Sequence, residues 1–269
     1  GSTGISFSER PTISYTPLQG EDFYTRLLER IPFDNVALLS DSGWNLDTVS
    51  RMTIQRVNGL TNAEGASGPT PDVAPDVTEF RELAGHLFEL QKLGAIQLVE
   101  AEKGGEGFRA MKLPARGSNA SADRIRELLS LDPEKEIFRL ALAAGAEAPE
   151  SGDTIQYNTR SLLGVLFFLS QGVNVPSEHT EAGIVTTTRH PDGRVYDWNR
   201  VLSDLFEVES STGRPPDAAT SIFYRGHWFY IRDNDLASKD TLILLSQMFT
   251  LQTGDAKGQI PVLTIPVSN

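Results

Sequence analysis

The chain has 269 residues, 39% hydrophobic and 22% charged, enough to bury a sizeable core as one large domain or two small ones. A net charge of −12 repels phosphate backbones and disfavours general binding to nucleic acid or anionic membranes. The absence of cysteine excludes disulfides, thiol catalysis and Cys-zinc sites, and no apolar run reaches the ~18 residues of a membrane-spanning helix. The chain opens Gly1-Ser2-Thr3. Gly1 reads as a residue left by tag cleavage, with the natural N-terminus upstream.

Ile5, Phe7, Ile13 and Tyr15 alternate with polar residues around Pro11, which predicts one or two short edge strands. Glu21 to Arg30 reads as a short helix carrying Phe23, Leu27 and Leu28. Asp34 is expected to cap a second helix through Val36, Leu38 and Leu39, ended by Ser42-Gly43. Asn45 is expected to cap a third, with Leu46, Val49, Ile54 and Val57 inward and Gly59 at its end. Trp44 lies between the two, where an indole covers a helix corner. Three prolines and two glycines make Leu60 to Pro75 a loop.

Asp76 to Leu93 is a helix with one stripe, Phe80, Leu83, Leu87, Leu90 and Leu93, stopped by Gly94. Ala95 to Glu100 is a strand, Lys103-Gly104-Gly105 a turn, and Phe108 to Leu113 the antiparallel return. Pro114 to Ala120 resembles a linker. Asp123 to Leu131 is a short helix, and Glu136 to Ala144 and Asp153 to Thr159 are paired strands. Ser161 to Gln171 (SLLGVLFFLSQ) is apolar on nearly all sides, the pattern of a buried central helix. Ile184 to Arg189 is read as a strand, His190 to Gly193 as a turn, Trp198 to Leu205 as a brief helix and Phe206 to Ser210 as a strand. Two prolines make Ile260 to Val267 an edge strand or an extended arm.

The densest signal is Ser221 to Gly254. Ile222-Phe223-Tyr224, the turn Arg225-Gly226 and His227 to Ile231 predict a tight hairpin. Asp233-Asn234-Asp235 ends it, and Ser238 is expected to cap a helix bearing Leu242, Leu245, Met248 and Phe249, with Gly254 just past its end. Alternation puts His227, Phe229 and Ile231 on one face of the second strand and Trp228 and Tyr230 on the other.

Catalytic signatures are absent: no HExxH, GxSxG, SxxK or phosphate-binding loop occurs. Gly104-Gly105-Glu106-Gly107 is glycine-rich, but its glutamate opposes phosphate. The helix Asp76 to Leu93 and the hairpin after it have the outline of a winged-helix DNA reader. Arg81 and Lys92 against Asp76, Glu79, Glu82 and Glu89 give it the wrong charge. Of His86, His179, His190 and His227 none pair at helical spacing, so local spacing predicts no metal site and no cofactor. His86 reads as a helix histidine with a local partner and His190 as a solvated turn residue. His227 is the one catalytic candidate, with Asp233 or Asp235 as an acidic partner. The competing reading holds its ring by the hairpin's own backbone. Trp228 and Tyr230 are the candidate binding residues, as an aromatic patch.

Four segments carry a resemblance: ISYTPLQGEDFYTRLL (Ile13 to Leu28), SGWNLDTVSRMTIQRVNGLTNAEGASGPTP (Ser42 to Pro71), RSLLGVLFFLSQGVNVP (Arg160 to Pro176) and YRGHWFYIRDNDLASKDTLILLSQMFTLQTG (Tyr224 to Gly254). Together they resemble a family of bacterial predicted lipoproteins, mostly from Gram-negative proteobacteria, for which no activity is established. The resemblance implies an envelope location, on the periplasmic side or at the outer membrane. It also implies a lipid anchor on an upstream segment, since a lipobox-type signal precedes this region in the family. No functional residue transfers with it.

The expected fold is α+β, antiparallel strand groups and hairpins packed with helices. It divides into a helix-rich subdomain over 1–116 and an α+β subdomain over 117–269, which meet near Pro114 to Ala120. The expected function is a non-enzymatic envelope module that binds or scaffolds a protein or envelope component. A hydrolase using His227 with an acidic partner is the alternative.

Overall fold

The computed structural model describes residues 21–253 except 70, 72, 144 and 146–148, and of these not the side chains of 21, 22 and 103. The strands expected around Ile5 to Tyr15, Gly254 and the segment Ile260 to Val267 lie outside the described residues. The fold is α+β, with two sheets.

The larger sheet has the order β2-β1-β6-β5-β4-β3. Its strands are β1 (Ile54–Val57), β2 (Leu60–Thr61), β3 (Gln97–Lys103), β4 (Glu106–Lys112), β5 (Ile137–Leu142) and β6 (Thr154–Thr159). All neighbours are antiparallel except β5 and β6, which run parallel across the connection between them. A parallel pair needs such a crossover, whereas an antiparallel one closes with a tight turn. Two such turns occur: Gly104-Gly105 between β3 and β4, and Asn58-Gly59 between β1 and β2, each with both residues at positive φ.

One face of this sheet is covered by α4 (Thr78–Lys92) and α5 (Ala120–Leu128). Phe80, Leu83, Leu87 and Leu90 of α4 and Ile125 of α5 bury against Phe138, Leu140 and Ile155. Leu93, expected in that stripe, is 67% exposed. It stands at the C-cap, after the last helical residue, and Gly94 at φ +60° turns the chain immediately after it. On the opposite face Ile137 is exposed, as strand alternation requires. The division expected at 116/117 falls between β4 and α5, and the sheet takes strands from both sides of it.

A second core is helical. It gathers α2 (Phe33–Asp41), α3 (Leu46–Thr53), α6 (Leu162–Ser170), α8 (Asn199–Leu202) and α9 (Leu236–Thr253), with α1 (Glu21–Leu28) against α6 and α9. Ser161 caps α6 by accepting from the Gly164 amide at 3.0 Å. Leu162, Val165, Phe168 and Leu169 are buried, but Leu166 is 40% exposed, so α6 is a core helix with one open edge.

Two expected boundaries differ. Asp34 lies in the first turn of α2, and Pro32 stands at the cap position. Asn45 does cap α3, accepting from Asp47 N at 2.9 Å, but the helix stops at Thr53, and Ile54 and Val57 belong to β1. What stops it is Arg160. A helix leaves its last four carbonyls without internal partners. Here Ile54 N takes the Ser50 carbonyl, Arg160 Nη1 donates to Arg51 O and Met52 O at 3.0 and 3.2 Å, and Arg160 N donates to Thr53 O at 2.6 Å. The guanidinium is fully buried and lies over the Phe168 ring, 4.1 Å from its centroid. Burial pushes its pKa down to about 9, which still leaves a cation at neutral pH, well placed at the negative end of the α3 dipole.

The smaller sheet has the order β7-β9-β8, all antiparallel: β7 (Glu209–Ser211), β8 (Ala218–Tyr224) and β9 (His227–Arg232). Ile231 drops into the helical core with Leu244 and Met248 of α9. Ser238 is not the cap of α9. Asp235 is, accepting from Ser238 N at 3.0 Å, while the Ser238 hydroxyl is buried against the backbone of Glu207. The strand expected over Ile184 to Arg189 does not form: Arg189 makes only single bridges, to Val73 and Val195. Thr188 is instead buried as the acceptor for Trp198 Nε1 at 3.1 Å.

Candidate functional site

The tip of the β8–β9 hairpin and the short helix α7 (Ser177–Glu181) come together. Their meeting depends on Gly172. After α6 the chain turns and runs beside residues 206–208: Val208 N donates to Gly172 O at 2.9 Å and Asn174 N to Val208 O at 2.8 Å. A Cβ on Gly172 would lie 2.3 Å from the Phe206 carbonyl oxygen, so only glycine allows this approach. Pro176 then starts α7, which carries Glu178 and His179.

On the other side, Tyr224 pairs with His227 across a two-residue loop in which Arg225 and Gly226 both have positive φ. This is the primed geometry that matches strand twist. It points the Arg225 carbonyl at His227 Nδ1, 3.4 Å away. His227 is 7% exposed. Its Nε2 faces Glu178 Oε1 at 3.4 Å, and its ring stands edge-on to that of His179, centroids 5.2 Å apart. One ligand atom from each of Glu178, His179 and His227 lies within 4.8 Å of the others.

The acid beside His227 is therefore Glu178, not Asp233 or Asp235. Asp233 pairs with Lys239 at 3.0 Å, and Asp235 is the α9 cap. His179, left without a role by sequence, stands at the centre of the site. The other two histidines lie elsewhere: His86 Nδ1 is 3.1 Å from Ser121 Oγ, and His190 packs on Tyr196.

Beside the cluster opens a pocket of about 450 Å³. Val173, Val208, Ile222 and Phe229 supply apolar wall, and His179, Tyr224 and Arg225 supply polar groups. The Arg225 guanidinium folds over the Tyr224 ring and its Nε donates to Tyr224 Oη at 3.1 Å. A second void, under α4, holds about 40 Å³ among apolar side chains, too little for more than about a water or two.

Trp228 and Tyr230 occupy the opposite face of the hairpin and are half-buried. Trp228 packs on Phe223 at 5.2 Å and under the Arg214 guanidinium at 5.5 Å. Tyr230 donates to Glu209 Oε2 at 2.9 Å, which raises the phenol's pKa. Arg232 holds the same carboxylate through Nη2 at 2.7 Å, and this bond, more than that from Tyr230, keeps Glu209 below the usual carboxylate range. Phe223, beside Trp228, is 56% exposed, so this face carries an aromatic surface.

Set against family models, characterised proteins and solved structures, the chain matches none of them. Among the described residues no helix is long and apolar enough to cross a membrane.

Proposed function

We propose that the chain is a binding module of the cell envelope that takes an apolar ligand bearing an acidic group between α7 and the β8–β9 hairpin. One observation carries the binding part: a 450 Å³ pocket with apolar walls and Arg225, Tyr224 and His179 among its lining groups. Ligand sites of this kind combine a large apolar area with a few convergent polar groups that fix orientation. The envelope location, the lipid anchor and an envelope component as partner rest on the resemblance alone.

The test uses 1-anilinonaphthalene-8-sulfonate, an apolar anion whose fluorescence rises on burial. The wild type should give a saturable signal. Ile222→Glu should abolish it while leaving the fold intact, because Ile222 lines the pocket yet is 65% exposed. No saturable signal, or an unchanged signal in I222E, refutes the binding reading.

A hydrolase is the second reading. It is the weaker one: Glu178 stands beside His227 Nε2 as an acidic partner, but the Arg225 carbonyl faces Nδ1, which leaves neither ring nitrogen open to a substrate as general base.

A further inference from the structure

We propose that Glu178, His179 and His227 form a binding site for a zinc-class divalent cation beside the pocket. The first support is the donor set. Two imidazoles and one carboxylate suit Zn²⁺, and three protein ligands with one free position is the arrangement of open zinc sites.

The second is distance. Ligands bound at ~2.0–2.1 Å around a tetrahedral ion stand ~3.3–3.5 Å apart. The Nε2–Oε1 separation is 3.4 Å, whereas a charge-assisted hydrogen bond closes to ~2.7–2.9 Å. The His179 ligand atom lies within 4.8 Å of the other two, so the His179 ring or the Glu178 carboxylate must close in to complete the set.

The third is the proton on His227. A carbonyl oxygen can only accept, so the Arg225 carbonyl facing Nδ1 at 3.4 Å places the hydrogen of a neutral ring there and leaves Nε2 bare. In that tautomer the Nε2 lone pair faces the Glu178 carboxylate oxygen, an arrangement that a metal ion bound between them would satisfy. Ligating histidines commonly hold their other ring nitrogen on a backbone carbonyl in this way, which fixes the tautomer and aims the ring.

The fourth is position. His179 belongs to both the cluster and the pocket lining, so the free coordination position is within reach of a ligand there. The site does not depend on the pocket being a ligand site, and metal alone tests it.

The 269-residue chain, stripped with chelator, is titrated with ZnCl₂ by calorimetry, and with Co²⁺ by the visible absorption of tetrahedral cobalt. One ion per chain is expected. Glu178→Gln, at a side chain 67% exposed, and His179→Ala should each weaken binding by at least the ~10–100-fold that loss of a mere outer-shell partner costs. Zn²⁺ should raise the wild-type Tm and leave that of H179A unchanged. His227→Ala removes the buried member and risks the hairpin, so E178Q and H179A decide. No binding by the wild type, or binding that neither variant weakens, overturns the site.

Discussion

Arg160→Met probes the joint between the two halves of the helical core. The side chain serves five acceptors: the carbonyls of Arg51, Met52, Ile54 and Asn62 and the Ser67 hydroxyl. Asn62 Nδ2 also donates to Arg51 O and Ile54 O, at 2.8 and 2.7 Å, so those two keep a partner. Met52 O and Asn62 O lose theirs. Two buried carbonyls left bare cost about 1–3 kcal/mol each, and the contact with Phe168 adds ~1–2 kcal/mol. Methionine fills most of the space and removes a costly buried charge, which returns part of the loss. The net expectation is a loss of ~3–5 kcal/mol. With a urea m-value of about 2–3 kcal/mol/M, the unfolding midpoint should fall by ~1–2 M. Arg160→Lys, which keeps the charge but offers fewer directed donors, should fall between. A loss below ~1 kcal/mol for R160M refutes the account, because α3 would then end without the arginine.

On α6, Phe168→Ala should cost about 3–5 kcal/mol by urea unfolding and Leu166→Ala under ~1 kcal/mol. Phe168 is fully buried and Leu166 is 40% exposed; similar costs for both would contradict the orientation of the helix. Asp204 bonds Arg51 at 2.8 Å and Arg81 at 2.7 Å. Burial works against its charge, but the hydrogen bond and charge of Arg51, with the charge of Arg81, hold it below the usual carboxylate range. Its contribution is therefore present above ~pH 4 and lost as pH falls through the folded value. Because the carboxylate is 52% exposed, Asp204→Asn should cost about 1 kcal/mol at pH 7 and flatten the acid limb of stability. An acid limb identical to the wild type would place that pH dependence elsewhere.

Where local pattern and local turn agree, the sequence is readable. The α4 stripe, the Gly104-Gly105 turn and the Arg225-Gly226 turn each name their element without help from distant residues. The end of α3 is a different case. Leu46, Val49, Ile54 and Val57 keep helical spacing past the true end, and the cap comes from Arg160, more than a hundred positions away. Asn58-Gly59 was a usable signal, since that pair favours a two-residue hairpin over a helix terminus. The run Ile184 to Thr188 has the composition of a strand but forms no ladder among the described residues, and Trp198 claims Thr188 instead. The site escaped for the same reason. His179 and His227 are separated by the whole passage through α8 and β7, and what joins them is the space that Gly172 leaves beside Phe206. His227 itself was legible as a buried residue on the Ile231 face, because alternation along β9 decides it.

The two ends of the described chain meet. Phe23 of α1 stands edge-on to Phe249 of α9 at 6.0 Å, and Gln252 Nε2 donates to the Arg26 carbonyl at 3.1 Å. On a ribosome this has a cost in time. At ~5–20 residues per second, roughly 10–45 s pass between the emergence of α1 and that of α9. Throughout that interval Phe23 has no aromatic partner on α9, and for the earlier part of it β1 waits for β6 and the α3 carbonyls wait for Arg160. The nascent chain thus holds open the apolar surface that α9 covers until α9 itself emerges.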